Sequence, residues 1–185
     1  MSHTPGIGHN SGKDLQGYTG RLHQWRRARR ALLGPILPVE VVRMRVRRAA
    51  ALGLDYGTYA SVRAGTGRDI AALLFSSNAL RMIRSAEIEA VRAAKLAGAR
   101  AERAALVHRP LPVAAPAPLD WAGRAPSFAD SPAALRARLQ EMLKAHRLPA
   151  DAVLMIGDTA FEASWCPAVR AAGYLTAEGY FGEAG

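Results

Sequence analysis

Apolar positions recur at helical spacing along the front half of the chain, interrupted by short glycine and proline breaks. Residues 1–18 carry no apolar period and are rich in Gly, His, Ser and Asn, so they read as a flexible arm. A first helix is expected from about Arg21 to Leu33, ended by Gly34-Pro35, and a second opens at Pro38. That second helix carries Val41, Val42, Val46, Ala49 and Leu52 and ends at Gly53. Asp55 is placed to cap a short third helix reaching Ala64. The apolar run from Arg68 to Met82 fits a buried strand or a buried helix face equally well. Ser85 to Val107 reads as one long Ala/Arg/Glu helix with Glu87 and Glu89 in its first turn.

The pattern then changes. Pro110 to Pro132 is proline-rich and reads as a linker or long surface loop. Pro132 to about His146 is amphipathic, with Leu135, Leu139, Met142 and Leu143 on one face. DAVLMIGD, Asp151 to Asp158, is the clearest strand, followed by a helix from about Ala160 to Ala172. The fold class expected from this pattern is mainly α, with a basic helical N-terminal part and a small C-terminal α/β element. The expected divisions are an arm over 1–18, a helical domain over 19–109, a linker over 110–131 and the α/β element over 132–185.

Charge alters this picture by being uneven. The net charge is +10 over 185 residues, but residues 1–110 hold nineteen Lys/Arg against seven Asp/Glu, and residues 111–185 hold six against eight. A surface of that sign attracts phosphate polyanions. The 6% aromatic content and the many alanines point to a modest core. The longest apolar runs, Ile70 to Phe75 and Val153 to Ile156, are far short of the roughly 20 residues that span a bilayer. The N-terminus lacks the pattern of a secretory signal. Cys166 is the single cysteine, which excludes an internal disulfide. These features point to a cytoplasmic protein without membrane association.

Two segments carry candidate chemistry. From Arg47 to Arg63, Ala49 supplies a small residue where two helices would cross, and Gly53 supplies a positive φ four residues later. Leu52 and Leu54 anchor the turn, Asp55 caps the second helix, and Tyr59 and Val62 pack it back. This segment resembles the helix-turn-helix of DNA-binding proteins. In that reading Thr58, Ser61 and Arg63 face base edges or phosphates, while Arg43, Arg45, Arg47 and Arg48 hold the backbone. Arg26, Arg27, Arg29 and Arg30 form a further phosphate-binding run beside Trp25.

In the second segment, Gly157-Asp158 ends a strand and Glu162 follows four residues later. From Pro132 to Tyr174 the chain is similar to the last motif of the haloacid dehalogenase superfamily, with glutamate where aspartate is usual. The resemblance implies an α/β unit in which Asp158 and Glu162 reach a Mg²⁺ site. It also implies a nucleophile from an Asp-x-Asp motif ending an early strand, with a hydroxyl and a lysine between. LDYGT offers Asp55 without the second acid, and Ser76 or Ser77 and Lys95 stand for the middle groups. Gly8 to Asp14 fails as a phosphate-binding loop, because only three residues separate Gly8 from Gly12 and no serine or threonine follows Lys13. The five histidines show no ligand spacing.

The leading expectation is a non-catalytic, regulatory or architectural nucleic-acid-binding protein, with DNA as its target and no cofactor. The alternatives are an adaptor whose basic helices meet an acidic protein partner, and a degenerate phosphatase-like protein built around Asp158.

Overall fold

A computed structural model describes residues 37–82 and 84–182. The candidate residues Arg26, Arg27, Arg29 and Arg30, the expected first helix and the arm lie outside the described residues. Residues 37–42 carry the opening of the first described helix, and the compact unit beginning at Arg43 holds everything that follows.

The helices are α1 (Val39–Ala51), α2 (Tyr56–Thr66), α3 (Ala90–Gly98), α4 (Pro132–Ala145), α5 (Ala160–Ala163), α6 (Trp165–Val169) and α7 (Ala177–Phe181). The strands are β1 (Ala72–Ser76), β2 (Glu102–Val107), β3 (Trp121–Arg124), β4 (Val153–Gly157) and β5 (Gly173–Thr176). All neighbouring pairs are parallel, and the five strands run in the order β3-β2-β1-β4-β5. The protein is therefore α/β, and the mainly α expectation is overturned.

The reason is physical. A parallel sheet covered on both faces buries both sides of each strand, so its strands read as unbroken apolar runs rather than as alternation. Every residue of β1 and β4 is buried. The stretch from Ser85 to Val107, which reads as one helix, instead holds α3, a break at Ala99, and then β2. Ala104 and Ala105 give β2 the composition of a helix, but there they pack in the middle of a sheet. The proline-rich stretch carries edge strand β3, whose residues 121–124 pair with residues 104–107.

Alternate strand residues feed two cores. Leu73, Phe75, Ala105, Val107, Leu154 and Ile156 face α1, α2, α3 and α7, where they meet Leu52, Tyr59, Leu96 and Tyr180. Leu74, Leu106, Val153 and Met155 face the opposite side, where Leu135, Leu139 and Leu143 of α4 and Trp165 and Val169 of α6 cover them. This sorting of side chains by parity lets helices close both faces.

Arg48 fastens the end of α1 to the sheet. Its Nε donates to Asp69 Oδ2 at 2.8 Å, its Nη1 to the Arg100 carbonyl at 2.8 Å and its Nη2 to the Ile70 carbonyl at 2.7 Å. Those two carbonyls belong to the segments that lead into β2 and β1. Tyr59 also donates to Asp69, at 2.8 Å. Replacing Arg48 by Ala should lower unfolding stability by about 2 kcal/mol, because both carbonyls and the Asp69 carboxylate lose a charged donor. Urea unfolding of the variant checks this, and a loss no larger than that of Arg47→Ala would deny Arg48 this role.

Candidate functional site

The order β3-β2-β1-β4-β5 places a topological switch point between β1 and β4. The chain leaves β1 for β2 on one side and reaches β4 on the other. In open α/β sheets ligands bind outside the carboxyl ends of the strands at such a point. Here the carboxyl ends supply Ser76, Ser77 and Asn78 after β1, His108 after β2, and Asp158 after β4.

Glu162 gathers these groups. It is 1% exposed, and its Oε2 accepts the backbone amides of Asp158 at 2.6 Å and Thr159 at 2.9 Å. In return Thr159 Oγ1 accepts the Glu162 amide at 3.2 Å, closing a capping box on α5. The other oxygen, Oε1, accepts from Asn78 Nδ2 at 2.9 Å and lies 3.5 Å from His108 Nε2. His108 Nδ1 meets Ser77 Oγ at 3.0 Å, and that oxygen also accepts the His108 amide at 3.2 Å. The imidazole stacks on Trp165 with centroids 5.5 Å apart. Gly157 leaves room for this cluster, since a Cβ there would lie 2.9 Å from Glu162 and from the Tyr174 hydroxyl.

Ser77, His108 and Glu162 have the composition of a nucleophilic triad but not its arrangement. Ser77 is 1% exposed, and its oxygen is already engaged by a backbone amide, so no substrate carbonyl can reach it. Burial lowers the His108 pKa below the ordinary 6.5, and it outweighs the opposing pull of Glu162. The ring is therefore neutral at neutral pH. Tyr174 is pushed up to about 12 by burial, with Glu162 and Asp158 adding to the shift, and it donates to the Thr159 carbonyl at 3.4 Å.

The expected phosphatase groups are not assembled. Asp55 ends no strand. It caps α2, accepting the Thr58 amide at 2.9 Å. The earlier strand paired with β4 is β1, and it leads into Ser76-Ser77-Asn78, with no carboxylate at its end. Ser76 Oγ is taken by the Ala79 amide at 3.0 Å. Lys95 lies on α3, where it donates to the Tyr180 carbonyl, and burial lowers its pKa. Asp158 is exposed, whereas Glu162 has both oxygens engaged within the chain. These residues do not fit a Mg²⁺ ion. Among the described residues no group of three or more His, Cys, Asp or Glu could hold a metal. The Cys166 thiol is pushed up by burial, which makes it a poor nucleophile.

At the helix-turn-helix segment the structure has Ala49 buried, Gly53 at φ +72° and Asp55 capping. The arginines divide. Arg48 is committed to the sheet. Arg63 donates to the Tyr59 hydroxyl at 3.3 Å and lies 3.7 Å from Asp69. Arg43 and Arg47 are exposed and Arg45 is half-buried. Thr58 and Ser61 line a shallow groove between α2 and β5, with Gly173 and Tyr174 on its other wall.

Two further clefts are lined by residues from the carboxyl ends of the strands. One, of about 400 Å³, is lined by His108, Arg109, Arg124, Phe128, Asp130 and Arg138, among others. The other, of about 530 Å³, sets Arg81, Arg92 and Lys95 against Glu89, Asp158 and Glu178. The first is cationic and the second is balanced. The residues that sequence reasoning missed are Asn78, His108, Arg109, Arg124 and Arg138. Only His108, a polar residue directly ending the apolar run AALV, carried a local signal.

His108 gives the site a pH signature. Its folded pKa is depressed, so as pH falls through about 6.5 the unfolded chain takes up the proton first and stability drops. The carboxyls of Asp55, Asp69 and Asp120, all lowered from 3.8, titrate outside this window. The melting temperature should fall between about pH 7.5 and 5.5, and His108→Gln should flatten that fall. An equal slope in the variant would remove His108 from this role. Compared with family models, curated proteins and solved structures, the chain matches none.

Proposed function

We propose that the protein is a non-hydrolytic binding protein for a phosphorylated or similarly anionic ligand, held at the carboxyl edge of its parallel sheet. The observation that carries this reading is the end of β1. It stands beside β4 at the switch point, and it ends in hydroxyls and an amide that are bonded within the chain, with no acid among them. Without a carboxylate there, no aspartyl nucleophile and no acid for the leaving group are available. The side chains that end β1 are spent on the Ala79 amide, on His108 and on Glu162, so they fix the edge and leave the adjoining arginines to meet a ligand. The ligand sign follows from the neighbouring arginines.

The test pairs turnover with binding. With p-nitrophenyl phosphate and Mg²⁺ the protein should release no nitrophenol, while inorganic pyrophosphate should raise its melting temperature in a salt-sensitive way. Hydrolysis that Asp158→Asn abolishes would overturn the reading, as would the absence of any shift with pyrophosphate.

One observation favours a second reading, duplex DNA binding through α1 and α2. The buried Ala49, the positive φ at Gly53 and the Asp55 cap supply the local geometry such an element needs. It predicts binding of mixed-sequence duplex at about 50 mM salt that weakens steeply toward about 200 mM. Changing Arg45 and Arg47 together to Ala should weaken it further. Fluorescence anisotropy decides, and no binding at the lower salt ends this reading.

A further inference from the structure

We propose that the cleft at the ends of β2 and β3 is a mononucleotide site, taking a phosphate on its arginines and a flat ring on Phe128. This rests on the reading above and deepens it by naming the place and the ligand class.

The arginines come from separate elements and converge. Arg109 follows β2, Arg124 ends β3 and Arg138 projects from α4. Arg124 is anchored from behind, where its Nη1 donates to the Leu111 carbonyl at 2.8 Å and the Val107 carbonyl at 3.3 Å. Its Nε and Nη2 have no hydrogen-bond partner among the described residues. A guanidinium fixed on one nitrogen, with donors to spare, is organised in advance for a phosphate oxygen. Arg109 forms no ion pair among the described residues, and Arg138 lies 3.6 Å from Asp130. Asp130 is the one acid lining the cleft, and its Oδ2 also accepts the Ser127 amide at 2.9 Å. It therefore shapes the loop that carries Phe128. Cations outnumber acids here, whereas in the neighbouring cleft the two balance.

Phe128 supplies the second half of the recognition. It is 79% exposed, yet its ring rests on Phe161 with centroids 4.0 Å apart and planes 28° apart. An exposed ring supported from beneath forms a stacking platform for a flat base. The cleft volume of about 400 Å³ is at the small end of ordinary ligand sites. It suits one nucleotide rather than a strand.

Isothermal titration with adenosine monophosphate, adenosine, inorganic phosphate and a ten-residue oligothymidylate tests this on the whole chain. The monophosphate should bind at least about tenfold more tightly than adenosine, phosphate or the oligonucleotide. The double change Arg109→Ala with Arg138→Ala should weaken it by about tenfold or more. Phe128→Ser, in an exposed loop, should weaken the monophosphate while leaving inorganic phosphate as it was. Unchanged monophosphate affinity in both variants overturns the proposal, as does tighter binding of adenosine or the oligonucleotide. If pyrophosphate shifts the melting temperature but the monophosphate does not bind in this cleft, only the cleft and the ligand class fall. If no anion binds at all, the reading of the edge as an anion site falls with them.

Discussion

The carboxylate of Glu162 sits where two parallel strands end and where water is excluded. A buried charge without partners costs several kcal/mol, so its oxygens have to be met by groups from the chain. The amides after β4 meet one oxygen, and Asn78 after β1 with His108 after β2 meet the other. Three strand ends are thereby tied to one side chain. The rest of the edge follows from this tie: His108 is held against Trp165, Ser77 is closed off beneath the ring, and Asp158 is left facing solvent. Removing the carboxylate would leave two amides, an amide side chain and an imidazole without their common acceptor.

Holding that edge shut changes what it can do. A serine, a histidine and an acid within bonding reach of one another serve catalysis only when the hydroxyl is open to a substrate. Here they fix loop geometry. The groups left to meet a ligand are the arginines of the adjoining cleft, which stand on different elements, Arg124 oriented by backbone carbonyls and Arg138 by Asp130. The positive charge of the front half is divided in a comparable way. Arg48 and Arg63 are drawn inward toward Asp69, while Arg43 and Arg47 face outward.

Much of the local structure was legible in the sequence because it is set by neighbouring residues. The Asp55 cap, the turn at Gly53, α4 with its three buried leucines and the strand before Asp158 all depend on contacts within a few positions. What could not be read depends on burial from both sides. Ala72 to Ser76 and Glu102 to Val107 have no alternating polar face, so no pattern marked them as sheet until β4 and the two helical layers enclosed them. The site was legible only at Gly157, Asp158 and Glu162. Asn78 and His108 join Glu162 from 84 and 54 positions away, and no local spacing encodes that meeting.

The crossing from β2 to β3 has no helix. It runs from Val107 to Trp121 and contains Pro110, Pro112, Pro116 and Pro118. Most crossings in a parallel sheet are made by a helix, whose own hydrogen bonds offset the entropy of ordering it. This one has few such bonds, but each proline ring has already removed much of the freedom that folding would otherwise take from the unfolded chain. The cationic cleft thus hangs from a segment whose freedom is already restricted in the denatured ensemble, so that less of its order has to come from native contacts such as those of Leu111 and Leu119. Exchanging these prolines for flexible residues would loosen the cleft without touching a residue that lines it.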